Sequence, residues 1–430
     1  MTHTLSRRSL LIAGATLATG IRPPAAVADR PDPPVVTDWN RTLLRIVRTP
    51  GAQPTTVHAT RGFAMTHGAL HDAVAATTGW GAPYLSTSDS ARGASPVAAA
   101  AQAAHDILIA LYPAMAADLD RQLAADLGRV PDPDAREAGV RAGRRAASRM
   151  LVCRAGDGSA ATPPALPPGT EPGQYRPTPP GFAPAVFTHW AAVTPFVLGR
   201  ADRFRPAPYP ALTSRRYAEA IGEVERLGRD TSTARTADQT LQARFWGAPI
   251  WNYWNEIAQS VALDRRSDLV TTAAVFARLN LTFADTAIAY YDGKYHHRIW
   301  RPITAIRLGG TDTNPDTPGD PAWNSLGTTP PDPSYPGGHS TMARAGAAVL
   351  RDAYGPVHRV TVTSEAQPGT TRTFRRFGDI AAEAGLSRLF AGVHTRLDHD
   401  AGALLGENVA RFVLDRTGCR DRLTASGSSR

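Results

Sequence analysis

Residues 265–291 read RRSDLVTTAAVFARLNLTFADTAIAYY. Within them Val275, Leu279, Phe283 and Ala287 recur every four residues, which lays one apolar stripe along an α-helix. The intervening positions are also mostly small or apolar, so the helix is expected to be buried on more than one side. Neighbouring segments repeat this signature. Helical patterns are predicted over 35–48, 62–77, 95–112, 118–127, 133–155, 209–226, 236–246, 340–354, 377–390 and 394–414. Pro113 fits a stop after one of them. Only 359–363 has convincing β character, and no strand–helix alternation appears. The expectation is an all-α helical bundle.

Two stretches interrupt the helices. Residues 162–184 and 309–335 are rich in Pro, Gly, Asp and Thr and have no helical period. Ordered loops of this length tend to be functional, and the aromatic and Pro residues of these two are expected either to line the entrance of a site or to serve loop packing. The reading divides the chain into a leader (1–28), an N-terminal helical region with the Pro-rich loop (29–240), a catalytic helical-bundle core (241–418) and a C-terminal tail (419–430). Trp190, Trp300 and Trp323 read as core residues.

The chain has 430 residues, 42% of them apolar, which suffices for a substantial core. Its formal net charge is +9, with basic residues dispersed rather than in runs. That pattern suits a solvated surface plus an anion-attracting site. It argues against a nucleic-acid stripe, and no nucleic-acid-binding motif is present. At the N-terminus Ser6-Arg7-Arg8-Ser9-Leu10-Leu11 is a twin-arginine pattern. An apolar run too short to span a bilayer follows, and then Ala26-Val27-Ala28 as a cleavage site. Export to the cell envelope or beyond is expected, without stable membrane insertion. The two cysteines, Cys153 and Cys419, have the opportunity to pair in such a compartment, but neither belongs to a CxxC motif. Helical faces not needed for the core leave room for a homodimer.

Three segments carry chemistry. Lys294 and Arg301 lie seven residues apart, nearly two helical turns, so one helix face can present both. Pro302 predicts that the helix ends at Arg301. An Arg fork suits two oxygens of one oxyanion, and Lys adds a point charge. Next, Pro336-Gly337-Gly338-His339 precedes an apolar helix. Its glycines permit close backbone approach, its first turn offers free N–H groups, and His339 can move a proton. Last, Ser387-Arg388 is followed by Gly392, His394 and Asp398. A four-residue spacing puts His394 and Asp398 on one helical face, where the carboxylate can fix the imidazole tautomer. Two other arrangements are weaker. His67 and His71 share a helical face but lack the intervening Glu of a zinc hydrolase. Ser340 lacks the strand and final Gly of a nucleophile elbow.

Taken together, the segments resemble the vanadium-dependent haloperoxidases, within the phosphatidic acid phosphatase type 2 superfamily. That family carries Lys-x6-Arg-Pro, Pro-Ser-Gly-His and Ser-Arg-x5-His. Here these stand at Lys294 to Pro302, Pro336 to His339 and Ser387 to His394. The stretches Asp38-Trp39-Asn40, Ala64 to Val74 and Trp190 to Phe196 extend the likeness over nearly the whole mature chain.

The resemblance implies one vanadate as cofactor. His394 would bind the metal, with Asp398 on its other nitrogen. Lys294, Arg301 and Arg388 would neutralise the oxygens, and Gly337 and Gly338 would line the anion. His339 would take a proton from hydrogen peroxide, and Lys294 would polarise the peroxide for attack by halide. Bromide is expected above chloride, with small organic molecules halogenated. An exported acid phosphatase with a phosphohistidine on His394 is the alternative, with His339 as its acid, because vanadate mimics a phosphoryl group in transfer. The chain departs from the family pattern in two places. Gly337 replaces a Ser. On the halide side, Tyr291 and Asp332 stand where chlorinating members have Trp and Phe, and an ionised Asp332 there is expected to repel halide.

Overall fold

The computed structural model describes residues 34–53, 58–85 and 90–426, with side chains to residue 417. The twin-arginine leader and the Cys419 side chain lie outside the described residues. Cys153 is an exposed free thiol.

Short polar residues fix where many helices begin. Ser95 accepts a hydrogen bond from the Ala98 N–H, Asp132 from Asp134 and Ala135, and Ser214 from Tyr217. Thr236 forms a reciprocal capping box with Gln239, and Asp268 accepts from Thr271. Each thereby satisfies N–H groups that a helix start leaves open. The elements are α1 (Val35–Arg48), α2 (Ala59–Thr78), α3 (Pro96–Leu111), α4 (Ala116–Gly128) and α5 (Pro133–Arg154). A long irregular segment then leads to α6 (Arg215–Gly228), α7 (Ala237–Phe245), α8 (Ile250–Asp264), α9 (Leu269–His297) and α10 (Pro302–Arg307). After the second loop come α11 (Gly338–Tyr354), a hairpin of β1 (Val357–Thr363) and β2 (Thr371–Arg376), α12 (Phe377–Phe390) and α13 (Arg396–Ser426).

The fold is all-α, as the periodicity predicts. The hairpin is antiparallel, with Val360 opposite Phe374, and it turns Val360 and Val362 into the core. The helix α9 is the central rod, with Val275, Leu279, Phe283 and Ala287 all buried. Its core neighbours come from both sides of residue 240. Trp39, Phe63 and Leu70 join Trp254, Met342, Val349 and Val409 in one cluster. Trp190, Trp300 and Trp323 are buried. No described helix is long and apolar enough to cross a membrane.

Close helix contacts follow from small residues. A Cβ on Gly346 of α11 would lie 2.6 Å from the Trp254 ring, and one on Gly406 of α13 would lie 2.1 Å from the Thr341 carbonyl oxygen. Those glycines let α11 approach α8 and α13. That approach holds the start of α11 against the start of α13, where the site forms.

The helix α8 is absent from the sequence reading. Its Trp251, Tyr253 and Trp254 pack in different directions, so no clean stripe marks it. The predicted extent of α9 also needs correction. The helix stops at His297, and Arg298 takes a left-handed conformation (φ 50°) that donates its N–H to the Lys294 carbonyl. Arg301 lies beyond the break, as the residue before α10. Pro302 therefore starts a helix rather than ending one, as proline does where its missing N–H is not needed.

Candidate active site

Lys294, Arg301, Arg388, His339 and His394 line one cavity of about 350 Å³, together with Gly338, Tyr291 and Asp332. Five separate pieces of chain supply them. Lys294 comes from the last turn of α9, and Arg301 from the link into α10. Asp332 comes from the second loop, His339 from the first turn of α11, and Arg388 and His394 from either side of a tight turn. The Gly392 of that turn has φ +77°, and a Cβ there would lie 2.4 Å from the Gly228 carbonyl oxygen. Only glycine fits, and it lets Arg388 and His394 face the same space.

Arg301 ties the pieces together. Its Nε donates to the Asp332 carbonyl at 2.7 Å, and its Nη1 donates to the Val393 carbonyl at 2.7 Å. Its Nη2 donates to Asp332 Oδ1. Nη1 also lies 3.2 Å from His394 Nε2. A guanidinium has no acceptor, so Nε2 presents its lone pair and Nδ1 carries the proton. On that side Asp398 Oδ2 lies 3.3 Å away. Asp398 is not simply one helical turn on from His394. The helix α13 begins at Arg396, and Thr395 caps it. Thr395 N–H donates to Asp398 Oδ2 at 2.7 Å, and the Asp398 N–H donates to the Thr395 hydroxyl at 3.2 Å. The carboxylate is held by this reciprocal cap before it receives the imidazole.

Ser334, which the sequence reading passed over, completes this group. Its hydroxyl donates to Asp398 Oδ2 at 2.7 Å and lies 3.4 Å from His394 Nδ1. The Lys294 ammonium donates to the Pro333 carbonyl and to the Ser334 carbonyl at 3.3 Å, and lies 3.6 Å from Asp332 Oδ1. On the opposite wall, His339 Nε2 lies 3.2 Å from the Trp246 carbonyl and 3.3 Å from that of Ala248. Both are acceptors, so Nε2 carries the proton and Nδ1 is the basic nitrogen.

The family profile of the VCPO second helical-bundle domain matches residues 274–419, the segment that contributes every one of these charged groups and both imidazoles. A vanadium chloroperoxidase from Curvularia inaequalis is 28% identical over 247 residues, 43% of this chain. The match spans 39% of that protein's length. Among solved structures, the first bacterial vanadium-dependent iodoperoxidase superposes with a TM-score of 0.76 at 25% identity, covering 88% of this chain and 94% of that one. A bacterial vanadium-dependent chloroperoxidase in its holo form gives a TM-score of 0.66 at 16% identity, covering 90% and 93%, a likeness of fold.

The chain resembles the vanadium haloperoxidases in sequence over residues 274–419 and in fold over most of its length.

The donor set fits the oxyanion that names this family. Arg388 Nε is buried without a hydrogen-bond partner, so an uncommitted cationic donor faces the cavity. His394 Nε2 supplies one lone pair. Elsewhere among the described residues, no group of three or more His, Cys, Asp or Glu side chains gathers as ligands for a metal cation. His67 Nε2 donates to Asn40 Oδ1 at 3.2 Å and the ring stacks on Phe63, which is a core role.

The electrostatics follow from burial among like charges. Burial, then Arg301, Lys294 and Arg388, hold His394 well below the usual histidine range. Burial, then Arg388 and His394, do the same to His339. Both rings are neutral at pH 7. Burial pushes the Lys294 ammonium down to about 8 against the pull of Asp332, with Arg301 adding to the fall. Burial and Arg301 bring Arg388 down to about 10. Burial raises Asp398 despite the donors on it. Burial would also raise Asp332, but Lys294 and Arg301 outweigh it and hold that carboxyl below its ordinary value.

Two expectations change within this haloperoxidase-type site. Gly337 does not line the cavity. As the cap residue of α11 it donates its N–H to the Asp398 carbonyl at 2.9 Å, away from the anion space. Asp332 does not stand free beside a halide; its carboxylate is ionised at the cavity wall and paired with Arg301 and Lys294. Gly338 does reach the cavity, against the Tyr290 ring.

Apart from Tyr291, the aromatic wall has no counterpart among the residues expected from sequence. His58, Phe187, Trp251, Tyr290 and Tyr291 line the far side, and the His58 and Trp251 rings are 4.4 Å apart. No local motif marks them, since they come from four distant segments. Of the two predicted entrance loops, 309–335 contributes Pro330 and Asp332 to the lining. The other contributes no lining residue and instead braces the Arg301 link, where Tyr175 N–H donates to the Arg298 carbonyl at 2.7 Å and Trp300 N–H to that of Gly173 at 2.9 Å.

Proposed function

We propose that this chain uses vanadate and hydrogen peroxide to oxidise halide, bromide in preference to chloride, and so halogenates small organic substrates. The observation that carries the reading is His394. Its Nε2 lone pair is directed at a cavity ringed by Lys294, Arg301 and Arg388. Those cations would hold the oxyanion's oxygens, while Asp398 and Ser334 fix the imidazole from behind. Bound vanadate would supply Lewis acidity without changing oxidation state. His339 Nδ1 accepts a proton from incoming peroxide and returns it to departing water, with the ring held by Trp246 and Ala248. The Lys294 ammonium would place positive charge on the anion's oxygens. The aromatic wall keeps bulk water from the oxidised halide.

The ionised Asp332 raises the barrier to anion approach, which favours the halide that gives up electrons more readily. The likeness to an iodoperoxidase structure at 25% identity supports that direction. A phosphatase would use the same His394 nitrogen but needs His339 protonated as an acid. Burial and its cationic neighbours favour the neutral ring, the state of a base. The test is to load the purified protein with vanadate, measure retained vanadium, and assay bromide-dependent bromination of phenol red beside hydrolysis of p-nitrophenyl phosphate. Phosphate ester hydrolysis without vanadium retention or bromination would overturn the proposal.

We further propose export by the twin-arginine route. Replacing Arg7 and Arg8 together by Lys should leave the protein in the cytoplasmic fraction. Unchanged export would refute it.

A further inference from the structure

We propose that Asp332 is an internal counter-anion that weakens the cavity's hold on doubly charged oxyanions more than on singly charged ones. The inference rests on the anion-site reading above and concerns which anion the site takes.

The Asp332 carboxylate is 7% exposed and aims one oxygen at the same cations that ring the anion space. Oδ1 accepts from Arg301 Nη2 and lies 3.6 Å from Lys294 Nζ. The residue is anchored independently by its backbone. Its carbonyl accepts from Arg301 Nε, and its N–H donates to the Pro330 carbonyl at 2.9 Å. The side chain is therefore held at the cavity wall even when an anion competes for Arg301.

Lys294, Arg301 and Arg388 supply three positive charges, and Asp332 removes one of them. Asp398, the other carboxylate nearby, sits behind His394 and is committed to Thr395, Ser334 and the imidazole. An entering oxyanion thus meets a net charge of two and a fixed carboxylate at close range. Each negative charge on the ligand is repelled by Asp332, so the second charge of a dianion is penalised again, in a buried site where screening is weak. Specificity arises from a repulsive element built against the wrong ligand. Phosphate, largely a dianion at mildly alkaline pH, is the class that Asp332 weakens most. Vanadate, which carries less charge there, is tolerated.

Tungstate and perrhenate separate charge from shape, because both are tetrahedral, of nearly equal size, and differ by one unit of charge. Their affinities are measured by isothermal titration at pH 7.5 on the wild-type protein and on Asp332→Asn, which keeps an acceptor for Arg301. Tungstate binding should tighten at least about ten-fold more than perrhenate binding in the variant. Asp332→Glu, which keeps the charge, should retain a preference near that of the wild type. Circular dichroism and melting temperature check folding, and Asp332→Ser serves as a second neutral variant if Asn destabilises the loop. Equal tightening of both anions would mean that Asp332 only occupies space, and would overturn the proposal. So would unchanged affinities, or no binding of either anion. The measurement needs neither peroxide nor halide. A protein that passes it yet fails to brominate would refute the peroxidase reading alone.

Discussion

The Arg301 guanidinium sits 3.2 Å from His394 Nε2, and that contact settles which end of the imidazole is free to bind. Arg cannot accept a hydrogen bond, so the ring must carry its proton on Nδ1, toward Asp398. The lone pair and the cations then face the same space.

Removing the carboxylate should loosen this arrangement. Asp398→Ala is expected to weaken vanadate binding about 10–100-fold, the usual cost of losing a partner behind a metal-bound histidine. It should also lower the melting temperature, since the cap on Thr395 is lost. Asp398→Asn keeps much of the cap and should lose less stability. Titration of vanadate into both variants, with parallel melts, checks this.

Lys294 gives a pH dependence. Its folded value near 8 lies below the ordinary lysine value of 10.5, so the free protein loses this charge as pH rises through about 8. Oxyanion affinity should therefore fall from pH 7 to pH 9. Lys294→Arg should flatten that limb, and an equally steep fall in this variant would exclude Lys294 as its source. The stability effect has the opposite sign. Between 8 and 10.5 the unfolded chain binds more protons, so this residue makes the fold more stable as pH rises.

Acid should destabilise the free protein through its neutral histidines. His58 and His67 are lowered to about 3, chiefly by burial, and His339 and His394 lie well below the usual range. Below pH 6.5 the unfolded chain takes up protons that the folded one refuses. Their stabilising contribution is intact above that pH and is lost as pH falls toward the folded values, at up to about 1.4 kcal/mol per pH unit for each group. Urea melts at pH 7.5 and 5.5 should show a clear loss, to which His67→Phe should be less sensitive. Identical stability at the two pH values would contradict the neutral assignment.

Gly337→Ser restores the residue usual in the family but should not restore a donor without cost. A Cβ there would lie 3.0 Å from the Asp398 carbonyl oxygen and 3.3 Å from its carbon. Asp398 is held by the cap on α13, so the contact cannot relax freely. A destabilisation of about 1–3 kcal/mol is expected, as for other overpacked positions. A rise in both stability and vanadate affinity would mean that α13 yields easily.

His339→Ala separates proton transfer from anion binding. Turnover in the proposed reaction should fall about 10²–10⁴-fold, the range for loss of a positioned acid–base group. Vanadate affinity should change much less, because the cations and His394 remain. A matching loss of affinity would mean that His339 holds the anion rather than moving a proton.

Sequence alone determined the fold class and the chemical cast of the site. The four-residue stripe of α9 requires a helix, and small polar residues before apolar runs mark helix starts through backbone satisfaction that is local in origin. The residue types at 294, 301, 339, 388 and 394 already specify cations and imidazoles. Tertiary structure decided what those groups are free to do. It broke α9 at Arg298, so that Arg301 approaches from a link instead of the helix face. It turned the Gly337 amide onto α13, brought Ser334 under Asp398 and set Asp332 against Arg301 and Lys294. It also assembled the aromatic wall from segments with no shared motif. Proton positions, ion pairing and burial depend on neighbours distant in sequence, and local spacing carries no record of which neighbours packing will supply.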